Sequence, residues 1–242
     1  MLIVLPPSET KAHGGSHGPL DLGSLAFPTL NPVRGQIISD LESLPVDDSL
    51  GVLGISEKLR AEAEANTQLR TSPTMPAIHR YTGVLFDALD AHTLPPSASA
   101  RLAVGSALFG VVHADDLIPH YRLSGGTKLP LADGTRPTMK ARWGKAITEA
   151  LSHDGLVIDL RSGTYQQLGK VPGAVTVRVE SVLADGSRKV VSHFNKQYKG
   201  ELARVLALSP GEAATAGDVA DIARGAGMTI EQTSATALTL VV

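Results

Sequence analysis

The sequence contains no cysteine, so disulfides, thiolate nucleophiles and thiolate-bound metals are excluded. Aromatic residues make up only 4% of the chain, with a single tryptophan, so the core has to be built mostly from aliphatic side chains. No apolar run is long enough to span a bilayer. The opening "MLIVLPPSETK" lacks a basic flank and meets two prolines after five residues, too short for a secretory signal. Charge of one sign is also missing: 22 Lys and Arg face 24 Asp and Glu, a formal net charge of -2. Any affinity for a polyanion must therefore be local. Glycine-rich phosphate loops and the G-x-S-x-G nucleophile elbow are absent. These absences lead us to expect a cytoplasmic protein with no membrane partner.

What is present suffices for a substantial core: 242 residues, 43% of them hydrophobic. At roughly 100 to 200 residues per domain this is one domain or two small ones. With no repeat, low-complexity tract or linker, the expectation is a single domain over residues 1–242. "LIVL" (2–5) reads as a strand buried on both faces, and residues 13–32, rich in Gly, Pro and Ser, as a long surface loop. Residues 33–44 are predicted helical. "GISEKLRAEAEANTQL" is predicted as a helix with Ser56 as N-cap and a stripe of Ile55, Leu59, Ala63 and Asn66. "PAIHRYTGVLFDALDAH" repeats that pattern as one helix. "ARLAVGS" reads as a buried strand, "ALFGVV" as one helical turn, 142–151 as a helix carrying Trp143, Ile147 and Leu151, and "LVIDLRS" (156–162) as a further buried strand. "AVTVRVESVL" and "RKVVSHFN" form a hairpin around Asp185-Gly186, followed by two helices and one or two terminal strands. Buried strands mixed with helices and a hairpin give a mixed α/β (α+β) domain.

Four stretches place polar residues where strands end, the usual position of a site in such a fold: "PPSETK" (6–11), "IPHYRLSGG" (118–126), "DLRSGTY" (159–165) and "HFNKQYKG" (193–200). Lys196 and Lys199, three apart at a helix start, oppose the helix dipole at about 0.3 to 1 kcal/mol each, a cost that a bound anion explains and fold stability does not. Arg122 beside Ser-Gly-Gly suits bidentate recognition of phosphate or carboxylate, or a pairing with Asp115 or Asp116. Asp159 is a candidate general base or a buried structural carboxylate, and Ser162 a phosphate contact or a helix cap. Ser8 and Lys11 follow the first strand, Lys58 opens a helix, and Tyr165 offers a stacking face. Arg136, Lys140, Arg142 and Lys145 form a second basic stretch, read first as solvated surface.

"PPSETK", "GISEKL" (54–59), "GSALFGVVHADDLIPHYRL" (105–123), a tryptophan-bearing helix, "VIDLRSGTY" and "FNKQYKGELAR" occur in this order across essentially the whole chain. In that arrangement the sequence resembles the YaaA family of peroxide-stress proteins. The resemblance implies one compact α/β domain of unusual topology, with a mixed sheet, flanking helices, a basic cleft and a helix-hairpin-helix-like element. It also implies cytoplasmic location, affinity for DNA, and a link to lowering free iron and oxidative DNA damage during peroxide stress. Two departures stand out: the family's "SGLYG" is here "GSALFG" (105–110), with Phe109 for tyrosine, and a full proline-glycine hairpin is lacking.

Two functional readings follow. In the first, Ser8, Lys11, Lys58, Arg122, Ser162, Tyr165, Lys196 and Lys199 line a cleft that takes DNA backbone with weak sequence preference. In the second, the same cleft binds a small phosphorylated or nucleobase-containing molecule, with Asp159 or Lys196 as acid or base. Enzymatic status and oligomeric state stay open, and no cofactor is assigned. Of the eight histidines, His13 and His17 are four apart among glycines, and His113, His120 and His193 with Asp115 or Asp116 have no recognised ligand spacing, so no metal is assigned.

Overall fold

The structure, a computed structural model, describes residues 1–152, 155–183, 185–190 and 195–242. Its strands are β1 (Leu2–Leu5), β2 (Met75–Pro76), β3 (Leu102–Ser106), β4 (Gly110–His113), β5 (Leu117–Ile118), β6 (Val157–Asp159), β7 (Val175–Val182), β8 (Arg188–Val190), β9 (Thr229–Ser234) and β10 (Ala237–Val241). Eight form one sheet in the order β4-β3-β1-β6-β7-β10-β9, with β8 paired to β7, while β2 and β5 make a separate pair. The five central strands run parallel: β1 lies between β3 and β6 with Ile3 opposite both Leu102 and Ile158, and β6-β7 and β7-β10 continue the sense. β4, β8 and β9 are antiparallel additions.

The central strands read as unbroken apolar runs because helices cover both faces of a parallel sheet. Every residue of β1 and β3 is buried, as the runs "LIVL" and "LAVGS" predict. β7 instead alternates between buried and exposed positions along its first five residues, so one face there meets solvent. The helix Asn195–Leu208 buries Leu202, Ala203 and Leu206, packs on the helix Val84–Leu89 and reaches the sheet at β1 and β7. The helix Ala216–Gly225 starts from a capping box in which Thr215 and Asp218 exchange side-chain to backbone hydrogen bonds, and it packs on β9 and β10. Among the described residues no helix is long and apolar enough to cross a membrane.

Several expectations change locally. "ALFGVV" is not a helical turn: Val111 and Val112 pair antiparallel with Gly105 and Val104 as β4, after a tight turn in which the Ser106 hydroxyl accepts from Phe109 N at 2.9 Å. β-Branched residues beside a strand complete a sheet edge better than a lone helical turn. The helix expected over 76–92 is two, Ala77–Arg80 and Val84–Leu89, broken where Gly83 takes φ 95°. The 142–151 helix is likewise divided at Gly144 into Met139–Trp143 and Ala146–Leu151, although Trp143, Ile147 and Leu151 all reach the core. The helix expected over 54–69 is a short α-helix, Arg60–Ala65, between two 3-10 turns. Ser56 makes no cap bond, and Leu59 is exposed. The 13–32 segment is largely exposed, as a surface loop, and is tied to the core by Leu25 and Leu30. The β7-β8 hairpin is present, and its residues 184 and 191–194 lie outside the described set.

Gly200 is the point of closest approach between the two packed helices. A Cβ there would lie 2.3 Å from the Leu85 carbonyl oxygen and 2.9 Å from the Ala88 Cβ. Helix propensity alone favours alanine over glycine by about 0.8 to 1 kcal/mol, but overpacking against backbone costs about 1 to 3 kcal/mol. Gly200→Ala is therefore expected to lower the urea midpoint, and an unchanged or raised midpoint would show that the helices separate freely at this contact.

Candidate functional site

Parallel neighbours β1 and β6 end at the same edge of the sheet. There the chain leaves β1 through Pro6 and Pro7, which cannot continue a ladder, and leaves β6 through Leu160 and Arg161. The start of the Asn195–Leu208 helix closes over this edge. The result is a cavity of about 520 Å³ whose polar wall includes Glu9, Ser162, Tyr165, Arg178, Lys196 and Lys199. A smaller hollow of about 160 Å³ shares Pro6, Glu9 and Lys196 with it and extends along Ser8 to Thr82 and Phe86. A larger one, about 660 Å³, lies at the opposite ends of β1 and β6, but its carboxylate, Glu212, is already engaged by the terminal amine and Arg101. Chemistry therefore concentrates at the first cavity.

Beneath its floor lies a buried ion pair. Arg161 donates from Nε to Asp159 Oδ1 at 2.8 Å and from Nη2 to Oδ2 at 2.9 Å. Its remaining donors reach the carbonyls of Tyr165 and Gly169. The stem fits because β3 has a glycine opposite it: a Cβ on Gly105 would stand 2.8 Å from Arg161 Cδ. Arg161 thus fixes the turn that presents Ser162 and Tyr165. Both Asp159 oxygens are held by the guanidinium, outside the cavity wall, so Asp159 anchors that turn.

The cations expected to line one cleft divide into different environments. Lys196 is exposed at the mouth. Lys199 is mostly buried, donates to Leu160 O at 3.1 Å, and has its pKa lowered by burial against the opposing pull of Asp159. Lys11 does not face the cavity. Its ammonium donates to the carbonyls of Ser8 at 3.1 Å and Glu9 at 3.5 Å and sits 4.3 Å from the Tyr121 ring centroid and 5.4 Å from that of Tyr81. Burial pushes its pKa down to about 8. The two tyrosine hydroxyls meet at 2.7 Å, with Ser106 on Tyr121 at 2.8 Å, and burial pushes Tyr81 up to about 12. Lys11 is therefore an internal support of the 6–11 loop. Ser8 completes that support, donating to Thr10 O and accepting from Thr82 N.

Arg122 pairs with neither Asp115 nor Asp116 but with Glu9, at 3.2 Å to the carboxylate and 3.0 Å to the carbonyl. Asn66 clamps the Arg122 backbone on both sides, donating to its carbonyl and accepting from its amide. The following Gly125 N donates to Tyr165 Oη at 3.2 Å, which joins the 118–126 stretch to the cavity wall. Ser162 occupies the N-cap position of the Gly163–Gln166 turn without making a side-chain cap bond, and it lines the cavity. Lys58 is exposed in the Glu57–Leu59 turn and does not line the cavity. Arg142 is tied to Asp40, and Gly144 interrupts its helix, so the second basic stretch is not one helical face. His113 stacks on Phe27, and His193 lies outside the described residues. Arg178, on the cavity wall, escaped the sequence reading. The alternation of β7 carried the signal, since Thr176 and Arg178 share the face opposite Val175 and Val177.

Comparison with known proteins agrees with this architecture. A profile of the family described as peroxide stress protein YaaA matches residues 1–224. A UPF0246 protein of Corynebacterium efficiens is 75% identical over 96% of this chain and 95% of its own length. A second, from Corynebacterium glutamicum, is 70% identical over the same shares, and one from Streptomyces coelicolor is 44% identical over 85% of this chain and 82% of its own.

Two measurements check these assignments. Nitrogen-detected NMR of lysine side chains should find one ammonium titrating near pH 8, absent in Lys11→Met; lysines that all titrate near 10.5 would contradict the cage. Because the folded value lies below the unfolded one, the contribution of Lys11 to stability is least favourable below about pH 8 and improves as pH rises toward 10.5. Asp159→Ala strands a buried guanidinium and should cost about 3 to 5 kcal/mol of unfolding free energy. A loss below about 1 kcal/mol, the scale of an exposed pair, would show that solvent reaches Arg161.

Proposed function

The chain belongs to the YaaA family of peroxide stress proteins, and from that premise we propose that it works in the response to peroxide by binding a compact anionic molecule, phosphorylated or nucleobase-containing, in the cavity between β1, β6 and the Asn195–Leu208 helix. The observation that carries this reading is the environment of Lys199. A cation desolvated within a cavity of small-ligand size is worth far more to a single bound anion than to a solvated phosphate backbone. The exposed Lys196 adds steering charge at the mouth, Arg178 there is paired with Glu180 at 3.3 Å, Ser162 offers a hydroxyl, and the Tyr165 ring forms a wall for a base. If the ligand is transformed, Lys199 is better placed than Asp159 to carry a proton, because it lines the cavity and burial lowers its pKa, while Asp159 is held by Arg161 outside the wall.

The DNA reading has one observation in its favour: Lys196 and Arg178 at the mouth adjoin the β7-β8 hairpin, which adds the exposed Lys189. Against it, Lys11 is internal, Arg122 is neutralised by Glu9, and Lys58 lies off the cavity. A cytoplasmic location and a role in limiting free iron and oxidative DNA damage belong to this proposal as the setting such binding would serve.

Calorimetry with nucleoside monophosphates and inorganic phosphate, beside DNA duplexes of two lengths over a salt series, separates the readings. The cavity reading expects saturable binding of a small ligand that Lys199→Met weakens roughly tenfold or more. A log-log salt slope near -0.9 per phosphate contact, with affinity that grows with duplex length and survives Lys199→Met, would transfer the function to DNA.

A further inference from the structure

Away from that cavity, three side chains far apart in sequence converge. His120 comes from the segment after β5, Glu62 from the helix Arg60–Ala65, and His13 from the loop after β1. Their ligating atoms all lie within 4.8 Å of one another. His120 Nδ1 is 3.0 Å from the carbonyl oxygen of Ala12, and because a carbonyl only accepts, that nitrogen carries the hydrogen. Nε2 therefore turns its lone pair, or a second proton, toward Glu62 Oε2 at 3.0 Å. Lone pair against carboxylate is repulsive, so a positive centre belongs between them.

The second imidazole decides which. His13 stacks on His120 with ring centroids 4.3 Å apart and 19° between planes, and its Nε2 lies 3.8 Å from the other Glu62 oxygen. A single proton can bridge only one of these two nitrogens to the carboxylate. One divalent cation serves both nitrogens and the carboxylate at once. We propose that His13, Glu62 and His120 form a site for a divalent first-row transition cation.

The donor set of two imidazoles and one carboxylate suits such an ion, whereas calcium and magnesium prefer all-oxygen shells. Metal-ligand lengths of about 2.0 to 2.2 Å put the donors of one ion roughly 3 to 4 Å apart, so a small movement closes the site. The movable ligand is His13, 74% exposed, whereas Glu62 and His120 are 15% and 8% exposed and fixed. The Nδ1–H donated to Ala12 O is the outer contact that orients a ligating imidazole. Arg80 pins the loop on either side of His13, donating to Ala12 O at 2.6 Å and Gly14 O at 2.8 Å. The open side at His13 gives the ion its entry and leaves remaining positions to solvent.

Titration of the full chain, first stripped with chelator, with Co(II) followed by absorbance and by NMR of the histidine rings tests the site. Expected are one equivalent bound, paramagnetic shifts of His13 and His120, displacement by Zn(II), and affinity lowered roughly tenfold or more in His13→Ala and in Glu62→Gln. His17→Ala, outside the cluster, should bind as the parent does. His13 is exposed, so its variant folds. Absence of stoichiometric binding, or equal affinity in His13→Ala, would overturn the proposal. So would a doubly protonated His120 at neutral pH that ignores Co(II), which would leave an imidazolium-carboxylate pair.

Discussion

The edge of the sheet that carries the cavity depends on the buried pair between Asp159 and Arg161. A guanidinium fully removed from water is tolerable only if its donors are all met, and here one carboxylate and two carbonyls meet them. The same solution recurs twice. Arg34 is fully buried against the carbonyls of Phe109 and Val111, where it fixes the β3-β4 turn, and Arg80 gathers the carbonyls of Ala12, Gly14 and Ile118. Each of these arginines ties an irregular segment to a neighbouring turn, strand or helix. Among the described residues no buried side-chain nitrogen or oxygen is left without a partner. The irregular segments are thus ordered by cations acting as internal cross-links, in a chain that lacks disulfides.

This use of charge explains why counting basic residues does not locate the ligand. A cation has an effect that depends on what already satisfies it. Lys11 is caged by two aromatic rings and two carbonyls, and Arg122 is matched by Glu9, so both spend their charge on the fold. Among the described residues Lys199 has one carbonyl for three donors, and it lines a cavity, while Lys196 stands in solvent at its rim. The positions that remain able to attract an anion are therefore fewer and more concentrated than the sequence count suggests.

Much of this is legible in the sequence. Doubly buried strands announce themselves as unbroken aliphatic runs, and β1, β3 and β6 fall where "LIVL", "LAVGS" and "LVIDL" place them. The hairpin and the two last helices followed from turn and capping residues. The divided helices did not, because apolar periodicity continues across Gly83 and Gly144 while the backbone does not. Of the cavity, Ser162, Tyr165, Lys196 and Lys199 were visible as polar residues after strands or at a helix start. The orientation of Lys11 was not, since it rests on Tyr81 and Tyr121, residues 70 and more positions away. The meeting of positions 13, 62 and 120 left no local trace at all, because it is created by tertiary contact alone.

The placement of β1 also bears on how the chain is made. This strand, buried at every residue, pairs with β3 and β6, so its two hydrogen-bonding partners follow it by roughly 100 and 150 residues. At synthesis rates of about 5 to 20 residues per second, "LIVL" leaves the ribosome some ten to thirty seconds before both flanks exist. During that interval an aliphatic edge with every amide unpaired is offered to the surrounding medium. Productive folding of the sheet centre is accordingly a late event, and the nascent chain is a natural client for chaperones until β6 emerges.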